Sequence, residues 1–371
     1  MFTHLAVTKP RRTLRIRRQR HRWYTTNTTV AIDVMSSDFW VADITCKLDL
    51  HCDGCTGSNC HNTYCDSACC DPNKHCRENY FDYFGSKTYK RDGRKYSISS
   101  DNEKTSGFLG YDVLRIGSDD TSFEVKLTFG QATSMSEYAE YDGVLGLAFA
   151  SISDEGFSSP FQEAINQLFH IIPTIGLICS STWSAVDEPR YTIYVSTADE
   201  GADGSGMITL GGFDSVNCGE ILGYAPLTFS SFFQFYTYSV SAGSYSNNEG
   251  WQSTVNLDDD LTIAPANIVA DIVQALLPGT QLSVYGVYEI DCNAQFPDFD
   301  FTVGTMTLRI PAKDMISTWG PNFCIFALDP VESFGFGPQW TFGHSLFRQY
   351  CTIFDVGGAQ IGFATPLHNN A

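Results

Sequence analysis

The stretch that decides the fold is AIDVMSSDFWV, residues 31–41. It begins as an apolar strand that ends at the carboxylate Asp33, passes through a short polar turn, and resumes as an apolar strand at Trp40. A carboxylate in a turn between two strands is a candidate functional group, because functional side chains often lie on loops that a rigid scaffold holds in place. Asp33 is therefore the reference point for the rest of the chain.

Two further segments complete the pattern. One is YDGVLGLAF at residues 141–149, and the other is WTFGHSLFRQY at residues 340–350, followed by IGFA at residues 361–364. With residues 31–41, they resemble the pepsin-like aspartic proteases, whose first active-site segment reads apolar-apolar-Asp-Thr-Gly-Ser-Ser-x-apolar-Trp-Val. The resemblance covers residues 29–366, which is nearly the whole chain.

This resemblance implies an all-β, bilobal fold with a central inter-lobe sheet and a few short helices. It places an N-terminal lobe at residues 29–185, with a Cys-rich insertion at 46–76, and a C-terminal lobe at 186–371. A length of 371 residues fits two domains, since one domain usually takes roughly 100 to 200 residues. Residues 1–28 form a basic N-terminal segment that we leave unassigned.

The catalytic pair that the resemblance implies is broken. In this family two aspartates share one proton, so that one acts as base while the other acts as acid. The second aspartate lies nine residues before a proline, and counting back from Pro265 gives Asn256. Asn256 has no titratable proton, so it cannot exchange acid and base roles with Asp33, although the supporting serine, Ser36, is retained.

Other departures from the family pattern point the same way. Val34 and Leu257 replace two threonines whose reciprocal hydrogen bonds lock the two loops together in the family. Met35 and Asp258 replace two glycines that let backbone N–H groups approach the carboxylates closely. The tip of the flap hairpin falls at Ser100-Asp101, where the family has Tyr-Gly. Together these differences predict a pseudoenzyme.

The run Asp258-Asp259-Asp260 admits more than one interpretation. A register shifted by two would make Asp258 the second catalytic residue, but Asn256 and Leu257 would then lie in the strand that enters the loop. A solvated acidic turn is favoured over a cation site, although hard cations such as Ca²⁺ prefer clustered oxygen ligands. His344, where the family often has Asp, is expected to be structural. We predict no metal and no cofactor.

The cysteines indicate an oxidising compartment, because 13 of them are hard to reconcile with a reducing cytosol. A zinc site would need two separated Cys-x-x-Cys pairs, and the dense cluster contains one, so a disulfide-linked loop is predicted. The resemblance also implies a disulfide between Cys292 and Cys324. Because the total is odd, at least one cysteine is left unpaired within the chain. The eight cysteines of the cluster are Cys46, Cys52, Cys55, Cys60, Cys65, Cys69, Cys70 and Cys76.

The net charge of the chain limits the classes of partner that it can bind. The formal net charge is −19, and residues 1–24 contain eight of the 23 basic residues and no acidic residue. The remaining chain therefore has 15 basic residues against 42 acidic ones and repels nucleic acid and anionic membranes. The sequence contains no run of about 18 apolar residues, so no membrane-spanning helix is predicted.

These observations predict a location in the extracellular space or a lysosome-like lumen. Residues 1–24 contain no apolar run of about 7 to 15 residues, so no secretory signal peptide is visible. A truncated or mis-started sequence is favoured over a mitochondrial transit peptide, because the cysteine usage argues against the matrix.

Three functions remain open. The first is a non-catalytic pepsin-like protein whose cleft binds an extended peptide, which is the partner we expect. The second is an atypical, weak aspartic endopeptidase that uses Asp33 with an acid from residues 258–260. The third is a structural lumenal or extracellular protein without a ligand. We lean against an enzyme, and we expect a monomer.

Overall fold

The computed structural model describes residues 3–7, 13–17, 27–48, 76–77, 79–99, 104–117, 122–136, 141–153, 159–169, 186–196, 206–332 and 337–367. This part of the chain is mostly β-strand and contains three short α-helices. The predicted all-β class with a few short helices is therefore confirmed. The chain divides into two compact units.

The strands of the described residues are β1 (Thr3–Val7), β2 (Thr13–Arg17), β3 (Asn27–Asp33), β4 (Phe39–Leu48), β5 (Lys90–Ser99), β6 (Lys104–Gly117), β7 (Ser122–Met135), β8 (Gly143–Gly146), β9 (Arg190–Val195), β10 (Gly206–Leu210), β11 (Cys218–Pro226), β12 (Phe235–Ala242), β13 (Tyr245–Asn247), β14 (Trp251–Val255), β15 (Thr262–Pro265), β16 (Glu289–Ile290), β17 (Phe299–Val303), β18 (Met306–Ile310), β19 (Ile316–Gly320), β20 (Phe323–Phe326), β21 (Leu328–Val331), β22 (Trp340–Phe342), β23 (Cys351–Asp355) and β24 (Gln360–Pro366). The helices are α1 (Pro160–Phe169), α2 (Ala266–Leu276) and α3 (His344–Gln349).

The N-terminal unit, Thr13–Ile32 with Ser36–Ala185, is built on one seven-stranded sheet. Its strand order is β2-β3-β8-β4-β7-β6-β5. In β7, Val125, Leu127 and Phe129 are buried and alternate with exposed or half-buried residues, as expected for a strand with one face on the core. Helix α1 packs against β7, where the Gln167 side chain bonds both backbone groups of Lys126.

The C-terminal unit comprises Met1–Arg12, Asp33–Met35 and Val186–Ala371. It contains a six-stranded sheet of order β1-β10-β9-β23-β24-β11, a sheet of order β18-β17-β12-β14-β22-β15-β21 with β13 added to β12, and the small sheet β16-β20-β19. The second of these carries Asn256, which directly follows β14.

Aromatic residues fill the core of the C-terminal unit. Trp340 and Phe342 of β22 and Phe301 of β17 are fully buried, and the Phe301 ring meets the other two edge-on at centroid distances of 5.4 and 5.0 Å. Burying one such side chain contributes roughly 1.5–3 kcal/mol. Strand β22 is thus anchored by fully buried aromatic residues.

Three disulfides join described residues. Cys46 and Cys76 close the base of the Cys-rich insertion, and Cys292 is bonded to Cys324. Sequence reasoning did not pair Cys218 with Cys351, which are 133 residues apart and link β11 to β23. The remaining six cysteines of the insertion, Cys52, Cys55, Cys60, Cys65, Cys69 and Cys70, lie outside the described residues.

Part of the basic N-terminal segment is paired in sheets. β1 runs antiparallel to β10, with Thr3 opposite Leu210, and β2 runs antiparallel to β3. Among the described residues, no helix combines the length and the apolar character that crossing a membrane requires.

Candidate functional site

The first loop begins where β3 ends, at Asp33. Ile32 and Val34 on either side are 0% and 1% exposed, whereas Asp33 is half-buried. The backbone N–H of Met35 donates to Asp33 Oδ1 at 2.7 Å. Two buried neighbours thus hold the carboxylate at the strand end, and the turn itself supplies a backbone donor to it.

The second loop begins where β14 ends, at Asn256. β14 runs parallel to β22, and the Asn256 N–H donates to the Phe342 carbonyl at 2.9 Å. The Asp258 N–H donates to Asn256 Oδ1 at 3.1 Å. Each loop therefore repeats one contact, in which the side chain at the strand end accepts from the N–H two residues later.

A second repeat involves one glycine in each unit. A Cβ on Gly146 would lie 2.5 Å from the backbone of Asp38, five residues after Asp33. A Cβ on Gly343 would lie 2.3 Å from the carbonyl oxygen of Leu261, five residues after Asn256. Only glycine permits so close an approach. We infer from both repeats that Asn256, rather than Asp258, is the counterpart of Asp33.

Asp33 belongs to the same compact unit as the second loop. Burial is the largest cause of the raised pKa of Asp259, and the Asp33 carboxylate adds to the rise. The Asp33 carboxylate also adds to the raised pKa of Tyr191. Tyr191 is fully buried, and this burial is the main reason that its pKa lies well above 10.0. The Met35 sulfur lies 3.8 Å from Thr254 Oγ1 on β14, so this side chain extends toward the strand that leads to Asn256.

Asp259 behaves differently from its two neighbours. Asp258 and Asp260 are exposed, as a solvated acidic turn requires, but Asp259 is half-buried. Burial raises the pKa of Asp259 above 3.8, as do Asp329, Asp260 and Asp33, while a hydrogen bond from the Asn256 side chain opposes the rise. The predicted solvated turn is thus wrong for Asp259, because the chain buries its carboxyl against Asn256.

The Asn256 side chain acts on both neighbouring aspartates. Its oxygen accepts from the Asp258 N–H, and its amide opposes the rise that burial causes in the pKa of Asp259. The other interpretation of residues 258–260 is a cation site. Within the described residues, no group of three or more His, Cys, Asp or Glu side chains is arranged to hold a metal ion.

The two residues in place of the threonines are apolar and buried. Val34 and Leu257 are each 1% exposed. Neither side chain can form the hydrogen bonds of the family lock. Ser36 lies in the N-terminal unit, where its hydroxyl accepts from the Asp38 N–H at 3.0 Å and its carbonyl accepts from the Ala148 N–H at 3.0 Å.

His344 contacts the second loop at three points. Its backbone N–H donates to the Asp259 carbonyl at 2.9 Å, Nδ1 lies 2.8 Å from Asp260 Oδ1, and Nε2 lies 3.1 Å from the Leu257 carbonyl oxygen. Sequence reasoning expected a structural residue here but did not identify these partners.

The flap tip, Ser100-Asp101, lies outside the described residues, although the flanking strands β5 and β6 are paired from Ser99 opposite Lys104. Sequence reasoning also missed the special place of Asp259 and the contact of Thr254 with Met35. The acidic run did draw attention to residues 258–260, but no local pattern distinguishes the half-buried carboxyl from the exposed ones.

Comparison with known proteins agrees with the motifs. The family described as eukaryotic aspartyl protease matches residues 25–366. Aspartic protease 6 of Caenorhabditis elegans is 30% identical over 346 residues, covering 91% of this chain and 78% of that protein. Aspartic protease 2 of Necator americanus is 30% identical over 359 residues, covering 91% and 80%. Human gastricsin is 25% identical over 348 residues, covering 91% and 78%.

Proposed function

The chain belongs to the eukaryotic aspartyl protease family, and from this premise we propose that it is a non-catalytic member that binds an extended peptide. The observation that carries the proposal is the amide of Asn256 at the counterpart position of Asp33. An amide neither takes a proton from water nor donates one to a carbonyl oxygen that is becoming an alkoxide. Loss of one general acid or base costs roughly 10²- to 10⁴-fold in rate.

Retention of the scaffold supports binding. β3, β14 and the close-packed Gly343 still place Asp33 and Asn256 at strand ends, so the differences are concentrated in the reactive loops. A pepsin-like cleft that lost only its reactive groups would keep backbone donors and apolar pockets for a strand-like ligand. The peptide is therefore the partner we propose, bound by a monomer.

A cleavage assay on a denatured protein mixture between pH 3 and 6 tests the loss of catalysis. We expect wild-type protein to show no turnover above the Asp33→Ala control. The triple variant Asn256→Asp, Leu257→Thr, Asp258→Gly restores the family sequence of the second loop. The same assay measures whether this variant gains activity over wild type. Wild-type cleavage that Asp33→Ala abolishes would contradict the proposal.

The raised pKa of the half-buried Asp259 favours a second candidate function, that of a weak aspartic endopeptidase. In that mechanism ionised Asp33 takes a proton from water, the water oxygen bonds to the scissile carbonyl carbon, and protonated Asp259 gives its proton to the carbonyl oxygen. The raised pKa of Asp259 and its electrostatic interaction with Asp33 support this assignment.

Paired variants test this candidate. Asp259→Asn should abolish any wild-type cleavage, whereas the matched control Asp258→Asn, in the exposed neighbour, should retain it. Equal activity of both variants would exclude Asp259 as the acid.

We also propose an oxidising location, outside the cell or in a lysosome-like lumen. Its support is the disulfide content, with three bonds among the described residues. A structural role without a ligand would be favoured if the purified protein, active in neither assay, also bound none of a library of extended peptides.

A further inference from the structure

His344 is the first residue of α3, and it connects this helix to three residues of the second loop. Its backbone N–H, Nδ1 and Nε2 each meet an oxygen, on Asp259, Asp260 and Leu257 respectively. The His344 side chain is 13% exposed, and that of Asp260 is 71% exposed. A mostly buried ring thus fastens the loop that carries Asn256.

Both ring nitrogens of His344 face oxygen atoms, and one state of the ring satisfies both contacts. The Leu257 carbonyl oxygen can only accept, so Nε2 carries a hydrogen. An ionised carboxylate also only accepts, so Nδ1 facing Asp260 carries a second hydrogen. A histidine with hydrogens on both nitrogens is the imidazolium. When it loses one proton, either the Leu257 bond breaks or a ring lone pair faces the Asp260 carboxylate.

We propose that protonated His344 is a positioning residue that holds the second loop closed, so that the site is organised in acid and loosens as the pH rises. This inference rests on the proposed peptide-binding function, because it adds pH regulation to that same site. Model imidazoles lose their proton near pH 6.5, so the change falls between an acidic lumen and neutral surroundings.

The charged groups around the ring favour the imidazolium. Asp260 contacts it directly, and Asp259, whose backbone carbonyl accepts from the His344 N–H, lies on the same loop. On its own helix Arg348 opposes them from the last turn. The short 3-10 turn packed against α3 places Asp314 beside that helix, where its carboxylate accepts from the Gln349 side chain at 2.8 Å.

Hydrogen–deuterium exchange of the full-length protein tests the proposal without a ligand. The readout is the protection of the peptides covering residues 256–261 and 343–347, corrected for intrinsic exchange, from pH 5 to pH 8. We expect wild-type protection to fall about two- to fivefold with the profile of one proton, since a charged contact with an exposed partner is worth that much. Side-chain NMR at pH 5 should show both His344 ring nitrogens protonated.

Two variants and a matched control give the test its specificity. His344→Gln keeps a donor for the Leu257 carbonyl but cannot titrate, so its protection should no longer depend on pH in this range. Asp260→Asn, at an exposed position that leaves folding intact, should reduce the fall, whereas Asp258→Asn should keep it. A pH-independent wild type, or an unchanged profile in His344→Gln, would overturn the proposal. Because exchange reports the loop itself, this result is distinct from whether the protein binds or cleaves peptides.

Discussion

Replacing Asp43 with Asn should stabilise the protein at neutral pH and have little effect near pH 4. Asp43 lies in β4 and is 0% exposed. Its Oδ1 accepts from the N–H and the hydroxyl of Thr45 at 2.9 and 2.6 Å, whereas Oδ2 has no hydrogen-bond partner in the part of the chain that the structure describes. Burial raises the pKa of Asp43 above 3.8, the Thr45 bonds and Arg91 oppose the rise, and Asp82 adds to it.

The size of the effect follows from the buried charge. Asparagine keeps the accepting oxygen for Thr45 and removes the charge, although its amide nitrogen takes the place of the unpartnered Oδ2. An incompletely satisfied buried group costs about 1–3 kcal/mol and more when it is charged, so we expect a gain of about 1–2 kcal/mol in the free energy of unfolding at pH 7. Because the folded-state pKa of Asp43 is raised, the wild-type penalty is absent below the unfolded pKa of about 3.9 and grows as the pH rises toward the folded value.

Urea unfolding at pH 4 and pH 7, followed by tryptophan fluorescence and circular dichroism, measures this difference. Asp112→Asn is the matched control, because Asp112 is also 0% exposed but the charge of its carboxylate is met by donors from three residues at Oδ1, namely the Ser86 hydroxyl at 3.0 Å, the Val113 N–H at 2.8 Å and the Thr88 hydroxyl, instead of by Thr45 alone. The control should lose stability at pH 7. Equal effects of Asp43→Asn at both pH values, or destabilisation at pH 7, would refute the reasoning.

Three further predictions concern the disulfide, the catalytic pair and the second loop. Replacing Cys218 and Cys351 together with Ala should lower the free energy of unfolding by up to about 5 kcal/mol, because the bond closes a loop of 133 residues; a loss under about 1 kcal/mol in urea unfolding would contradict this. Asn256→Asp alone should not restore family-like peptide hydrolysis, which an acid-pH cleavage assay measures, because the loop geometry stays altered. For the same reason pepstatin-type inhibitors should bind weakly, which calorimetry measures. Gly343→Ala should cost about 3 kcal/mol, seen as a lower melting temperature, because its Cβ would meet the Leu261 carbonyl oxygen at 2.3 Å; an unchanged melting temperature would show that the loop can yield.

The sequence predicts those features of the fold that depend on the spacing of residues close together in the chain. The alternation of Val125, Leu127 and Phe129 identified a strand, because side chains on a strand repeat every two residues. The spacing from Pro265 predicts Asn256 as the second position of the pair, and that assignment stays a prediction. The same reasoning left the first 28 residues unassigned, although β1 pairs with β10 more than 190 residues away. Pairing at that distance depends on the assembled sheet.

Tertiary contacts decide the features that sequence could not give. Cys218 and Cys351 are brought together because β11 and β23 flank β24 in one sheet, and no spacing rule connects residues so far apart. The three aspartates of the acidic run have the same side chain, yet only Asp259 is half-buried, and burial raises its pKa. Ionisation at this site is therefore a property of packing, which a linear pattern does not encode.

The buried pair Val34 and Leu257 offers a test of the site geometry that needs no activity. Both belong to the C-terminal unit, and each is 1% exposed. Val34→Thr should cost about 1–3 kcal/mol, because the new hydroxyl is buried without a partner, and Leu257→Thr should cost more, because it also leaves a cavity.

The double variant is informative because the two hydroxyls could then bond each other's loops, as the threonines do in the family. We expect the double variant to be more stable than the sum of the single effects predicts, by about 1 kcal/mol or more in urea unfolding. Strictly additive losses would mean that Val34 and Leu257 do not occupy the places of the two threonines. The register that makes Asn256 the counterpart of Asp33 would then have to be abandoned, even if the protein cleaved no peptide.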